Sequence, residues 1–129
     1  MKEKIYKILL DDKLLGTTNL EFGDPPMGIV FGQIIFAESN FGYDFFKQYC
    51  IDNSIELQTD YPNDKLISTR QIEKLKIYNS ENIEIVGVGN NVEGMDSDIY
   101  TLTILGIDSE TYKLEFPNHI AEYEQKFNN

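Results

Sequence analysis

Apolar residues fall in short runs separated by turn-forming clusters, and each run predicts one short element. Ile5, Tyr6, Ile8, Leu9 and Leu10 predict a strand over residues 4–10. Asp11-Asp12-Lys13 supplies a turn, and Leu14 to Leu20 returns antiparallel. Gly23-Asp24-Pro25-Pro26 then stops regular structure: two prolines fix the backbone and remove two donors. Met27 to Phe36 is the next strand. Its apolar residues occupy both parities, Ile29, Phe31 and Ile35 against Val30, Ile34 and Phe36, so burial on both faces is expected.

The period changes after Ser39-Asn40, which reads as a helix cap. Phe45, Phe46, Tyr49 and Cys50 make one apolar stripe, and the helix is expected over about 40–52. Ile55 to Leu57 reads as a short strand and Asp60-Tyr61-Pro62-Asn63-Asp64 as a turn. Arg70 to Leu75 reads as a helical turn, and Leu75 to Tyr78 and Ile83 to Val88 as strands. Gly89-Asn90-Asn91 closes the second of these, and Glu93 to Asp98 forms a loop. Ile99 to Ile107 is the best-formed strand, with Tyr100, Leu102 and Ile104 on one face. Tyr112, Leu114 and Phe116 alternate with Lys113 and Glu115 and predict its hairpin partner. Pro117 opens a closing helix over 117–127. The expectation is one α+β domain over 1–129, with two helices and one mainly antiparallel sheet of about five to seven strands.

Composition fits that picture. The chain has 129 residues, 41% hydrophobic, with eight Phe and eight Tyr, which suffices for an ordinary core. No apolar run approaches the ~18 residues of a membrane span. The charged N-terminus has no apolar segment behind it, and the single cysteine, Cys50, excludes an intramolecular disulfide. A cytoplasmic protein is expected.

Charge changes the picture more. The net charge is −11, of which −8 falls in residues 80–129. Between Lys76 and Lys113 there is no Lys, Arg or His, while seven carboxylates crowd the same stretch. Such a surface repels nucleic acid and anionic membranes and attracts a basic partner. Acidity of this kind also arises from solubility alone.

No segment carries a defined reaction. His119 is the only histidine and lies at the start of the closing helix, while Cys50 lies in an apolar stripe, where a buried structural thiol is the commoner case. One His and one Cys make no typical zinc site, and Asp96-Ser97-Asp98 lacks the spacing of a calcium loop. No metal, cofactor or catalytic residue is expected. Gly87-Val88-Gly89-Asn90-Asn91 lacks both the spacing and the lysine of a phosphate loop. Three loops remain as recognition surfaces: Asp24 with its prolines, Asp60-Tyr61 with Asp64, and Glu93, Met95, Asp96 and Asp98. Tyr61 and Met95 suit anchors, and the carboxylates suit steering of a basic protein.

Asp24-Pro25-Pro26-Met27-Gly28, Phe31-Gly32, Asp60-Tyr61-Pro62 and Glu93-Gly94-Met95-Asp96 resemble small acidic bacterial proteins of toxin–immunity gene pairs, including contact-dependent inhibition systems. The resemblance spans residues 5–127 and implies a cytoplasmic protein that masks a cognate toxin domain. The leading expectation is a non-enzymatic immunity protein that neutralises a basic, nuclease-like toxin. The alternative is a small-molecule binder or hydrolase with Asp96 and Asp98 at a pocket over the sheet. A homodimer formed through an exposed strand edge is a third possibility.

Overall fold

The computed structural model describes residues 4–128; Met1–Glu3 of the charged start and Asn129 lie outside the described residues. The class is α+β, but the expected single sheet is two antiparallel sheets, of four and six strands, with three helices. Strands β1 (Tyr6–Leu10) and β2 (Lys13–Thr18) form the expected hairpin. Asp11 and Asp12 turn it with φ of 51° and 66°, the positive pair of a type I′ turn.

The smaller sheet runs β5-β2-β1-β8, with β5 at Ile35–Phe36 and β8 at Leu75–Tyr78. The larger runs β3-β4-β10-β9-β7-β6. Its strands are β3 (Phe22–Asp24), β4 (Ile29–Gln33), β6 (Leu57–Tyr61), β7 (Leu66–Thr69), β9 (Gly89–Met95) and β10 (Tyr100–Leu105). Ile34 joins the two sheets. Its N–H donates to Tyr100 O at 2.8 Å in the larger sheet, and the next residues, Ile35 and Phe36, pair with Thr17 and Gly16 in the smaller.

The strand expected to be buried on both faces therefore alternates. Val30, Gly32 and Ile34 face the core, Ile35 is exposed, and Phe31 is half-buried in a stack on Phe22 at 5.2 Å. Apolar residues on both parities reflect a strand that changes sheets. Ile8, Leu10 and Ile77 from the smaller sheet meet Val30, Val92, Leu102 and Ile104 from the larger in one core. Burial of each such side chain contributes about 1.5–3 kcal/mol.

Helix α1 (Tyr43–Asp52) starts three residues later than the Ser39-Asn40 cap predicts. It buries Phe46 with its ring 6.0 Å from Phe36 and 5.7 Å from Tyr100. The helical turn expected at Arg70–Leu75 is a plain turn, closed by Leu75 N donating to Ile72 O at 3.2 Å.

Strand β9 corrects the reading further. Gly89 to Asn91 and Glu93 to Met95 are not a turn and a loop but a central strand, bonded to β10 on one side and β7 on the other. The β10 ladder along the strand, joined by β7 from Glu93 to Met95, overrides the poor strand propensity of Gly and Asn. Ile83 to Val88 contributes only the bridge Tyr78↔Glu84 and scattered backbone bonds.

Helix α2 (Ser109–Glu115) replaces the expected hairpin partner of β10. Asp108 caps it, accepting from Thr111 N at 2.8 Å, and Glu110 lies in its first turn. Tyr112 and Phe116, spaced i and i+4, enter the core, while Leu114 is 84% exposed. Helix α3 (Pro117–Asn128) follows with Pro117 at its first position, as expected. Among the described residues no helix is long and apolar enough to cross a membrane.

Candidate functional site

Alternation along β6, β7, β9 and β10 sends one set of side chains into the core and the other outward. Val92, Ile67, Leu102 and Ile104 go in. Glu93 and Met95 of β9, Ser68 and Leu66 of β7, and Thr101 and Thr103 of β10 go out. Register pairs Glu93 with Thr101 on one side and with Ser68 on the other, and Met95 with Leu66. Among the described residues no helix covers these outward rows, and they floor an open trough of about 600 Å³. Asp98 and Ile99, in the β9–β10 turn, rim it. No Lys, Arg or His lines it. An adjoining hollow of about 470 Å³ shares Gln58, Asn91 and Leu105 and reaches Arg70.

The structure brings together four of the eight residues singled out from the sequence. Glu93, Met95 and Asp98 line the trough. Tyr61, 59% exposed, pairs with Leu66 at the end of the Met95 row. Asp64 lies next to it in the exposed 3-10 turn Pro62–Asp64. Asp24 ends β3, the opposite edge strand, where its charge adds to burial in pushing the Tyr112 phenol up to about 12.

Asp60 and Asp96 are engaged by the protein itself. Asp60 accepts from the Tyr43 hydroxyl and forms an ion pair with Lys47 at 3.1 Å. The Tyr43 hydrogen bond, with Lys47 beside it, holds the Asp60 carboxyl below the usual carboxylate range. Hydrogen bonds to Tyr43 and then Asp60 raise Lys47 in turn. Asp96 accepts from Tyr43 N at 2.9 Å and from the Tyr100 hydroxyl at 2.7 Å. It caps α1, and Asp96 N donates to Lys65 O at 3.2 Å. The turn that carries Asp98 is thereby fixed on both flanks.

The remaining chemistry is structural. Cys50 is buried, and burial pushes its thiol up, away from a nucleophilic role. His119 Nε2 lies 2.8 Å from Leu20 O, and its ring stacks on Phe116 at 5.6 Å. Among the described residues no group of three or more His, Cys, Asp or Glu is placed to hold a metal ion.

Ion pairing bears on the acidic half of the chain. Among the described residues Glu115, paired with Lys4 at 3.6 Å, is the only carboxylate after residue 80 in a salt bridge. These acids belong to different elements, however. Glu93 and Asp98 line the trough, Asp108 caps α2 and Glu110 lies in its first turn, and Glu122 and Glu124 belong to α3.

Asn91, Ser68, Thr101 and Thr103 also line the trough, from strand positions that lie outside the three loops singled out in the sequence. The alternation that places Leu102 and Ile104 inward is the signal that finds the two threonines. Compared with known proteins, the chain matches no family model, no curated protein and no solved structure.

Proposed function

We propose that the protein is a non-enzymatic binding protein of the immunity type, which neutralises a basic toxin domain by covering it with the open face of its six-stranded sheet. The observation that supports this is the convergence of Glu93, Asp98 and Met95 on an uncovered trough that no cation lines, with Tyr61 beside its Leu66–Met95 row. Unpaired carboxylates beside a thioether and a phenol suit a basic protein surface, with charge steering the encounter and Met95 and Tyr61 supplying contact area. A nuclease-like target carries the cationic surface its own substrate requires.

The enzyme alternative has less support. Asp96 is bound by Tyr43 and Tyr100 and is not part of the trough lining, so Asp96 and Asp98 do not converge as an acid/base pair. Pairing through a strand edge is also disfavoured at β6, which carries a bulge between Leu57 and Thr59 and turns the charged Asp60 toward α1.

The test is expression of the polypeptide encoded beside this gene, with and without this chain. Relief of growth arrest by the wild-type chain, lost in E93K/D98K, supports the reading. Arrest that this chain leaves untouched rejects it.

A further inference from the structure

The trough offers acceptors and lacks donors of matching charge. Glu93 and Asp98 have no side-chain hydrogen bond or ion pair among the described residues. Asn91, whose side chain borders both hollows, leaves its Oδ1 without a partner and shielded from solvent. Its Nδ2 makes only a long contact of 3.5 Å to Thr69 O. Thr101 and Thr103 add hydroxyls to the same sheet face, and Leu66 and Met95 give it apolar stretches.

Resting on the binding reading above, we propose that this trough reads arginine: the basic partner lays an arginine-bearing segment across it, with a guanidinium forked on the Glu93 carboxylate, the aliphatic stem over Met95 and Leu66, and Asp98 adding charge at the far end. The choice of arginine over lysine follows from the acceptors. They are carboxylates, each with two oxygens and no side-chain partner among the described residues. A planar guanidinium carries five donors in a fixed fork, whereas an ammonium is a compact, strongly hydrated point charge. The stem of either residue packs on thioether and leucine, but only the fork meets both oxygens of one carboxylate at once. The chain's own Arg70 borders the adjoining hollow, yet its guanidinium is bridged to Glu56 at 3.3 Å and leaves the trough open.

The experiment is a two-dimensional amide NMR titration of the full chain with tetra-arginine and with tetra-lysine, at low and at physiological salt. The arginine peptide is expected to bind roughly five-fold tighter than the lysine peptide. It should shift the amides of Ser68, Asn91, Glu93, Met95, Asp98 and Thr101. E93Q/D98N should lose most of that preference, while E122Q/E124Q on α3 keeps it; both spectra report whether the variant is folded. Equal binding of the two peptides at the trough overturns the arginine assignment and leaves the basic-partner reading standing. Absence of shifts at the trough with either peptide overturns both.

Discussion

Asp96 caps helix α1 from 53 residues away: its Oδ1 accepts the Tyr43 backbone N–H at 2.9 Å and, on the other side, the Tyr100 hydroxyl at 2.7 Å. One carboxylate thus ties the first turn of a helix to the turn between two central strands. Asp96→Ala removes the cap and leaves a part-buried hydroxyl unpaired, which should cost about 1–2 kcal/mol of unfolding free energy. Asp98→Ala, two residues on but without a side-chain partner, should change stability by no more than about 0.5 kcal/mol. Urea denaturation of both variants separates the two roles. Equal losses would contradict the division of Asp96 and Asp98 into anchor and recognition residue.

Asp60 makes the fold sensitive to acid. Its carboxyl titrates below its ordinary value, first through the Tyr43 hydroxyl and then through Lys47. A depressed folded value means that its contribution is present above the unfolded pKa of about 3.9 and is lost as pH falls through the folded one. Asp60→Asn removes that dependence. The stability difference between wild type and this variant should stay level above about pH 4 and shrink below it. Urea midpoints collected across the acid range measure it, and a difference that does not change with pH rejects the assignment.

Phe46 is where α1 meets both sheets. Its ring is fully buried beside Phe36 of the smaller sheet and Tyr100 of the larger. Phe46→Ala should destabilise by about 3–5 kcal/mol, because the cavity lies between three elements that cannot all close on it. Phe45, one residue earlier and half-buried over Phe41 and Tyr49, should cost less on truncation. Thermal or chemical melts of the two alanine variants rank them, and the reverse order contradicts this packing.

Local pattern carried much of the fold. The β1–β2 hairpin, the closing helix at Pro117 and the inward face of Tyr100, Leu102 and Ile104 are where their sequences place them. The departures share a cause. Gly89-Asn90-Asn91 is a strand because the β10 ladder holds it, with Ile72 N donating to Asn90 O on the other side, and no propensity encodes that. Tyr112, Leu114 and Phe116 alternate as a strand would, yet Tyr112 and Phe116 also share a helical face. The Asp108 cap, whose signal is its acid followed by Glu110 and Thr111, decides between them.

The candidate site was legible only in pieces, for the same reason. Glu93, Met95 and Asp98 are neighbours in sequence, but only the sheet order β9-β7-β6 brings Tyr61 to the same face. Asp60 and Asp96 look like their neighbours in sequence. The partner that claims both of them, Tyr43, is distant along the chain.

The most direct test is kinetic: the association rate of the wild-type chain and of E93K/D98K with the cognate toxin domain, at low and at physiological salt. If a basic surface docks on the open face of the larger sheet, reversing those two charges slows association several-fold at low salt, and added salt narrows the gap. An association rate that is the same for both proteins at low salt contradicts docking at that face.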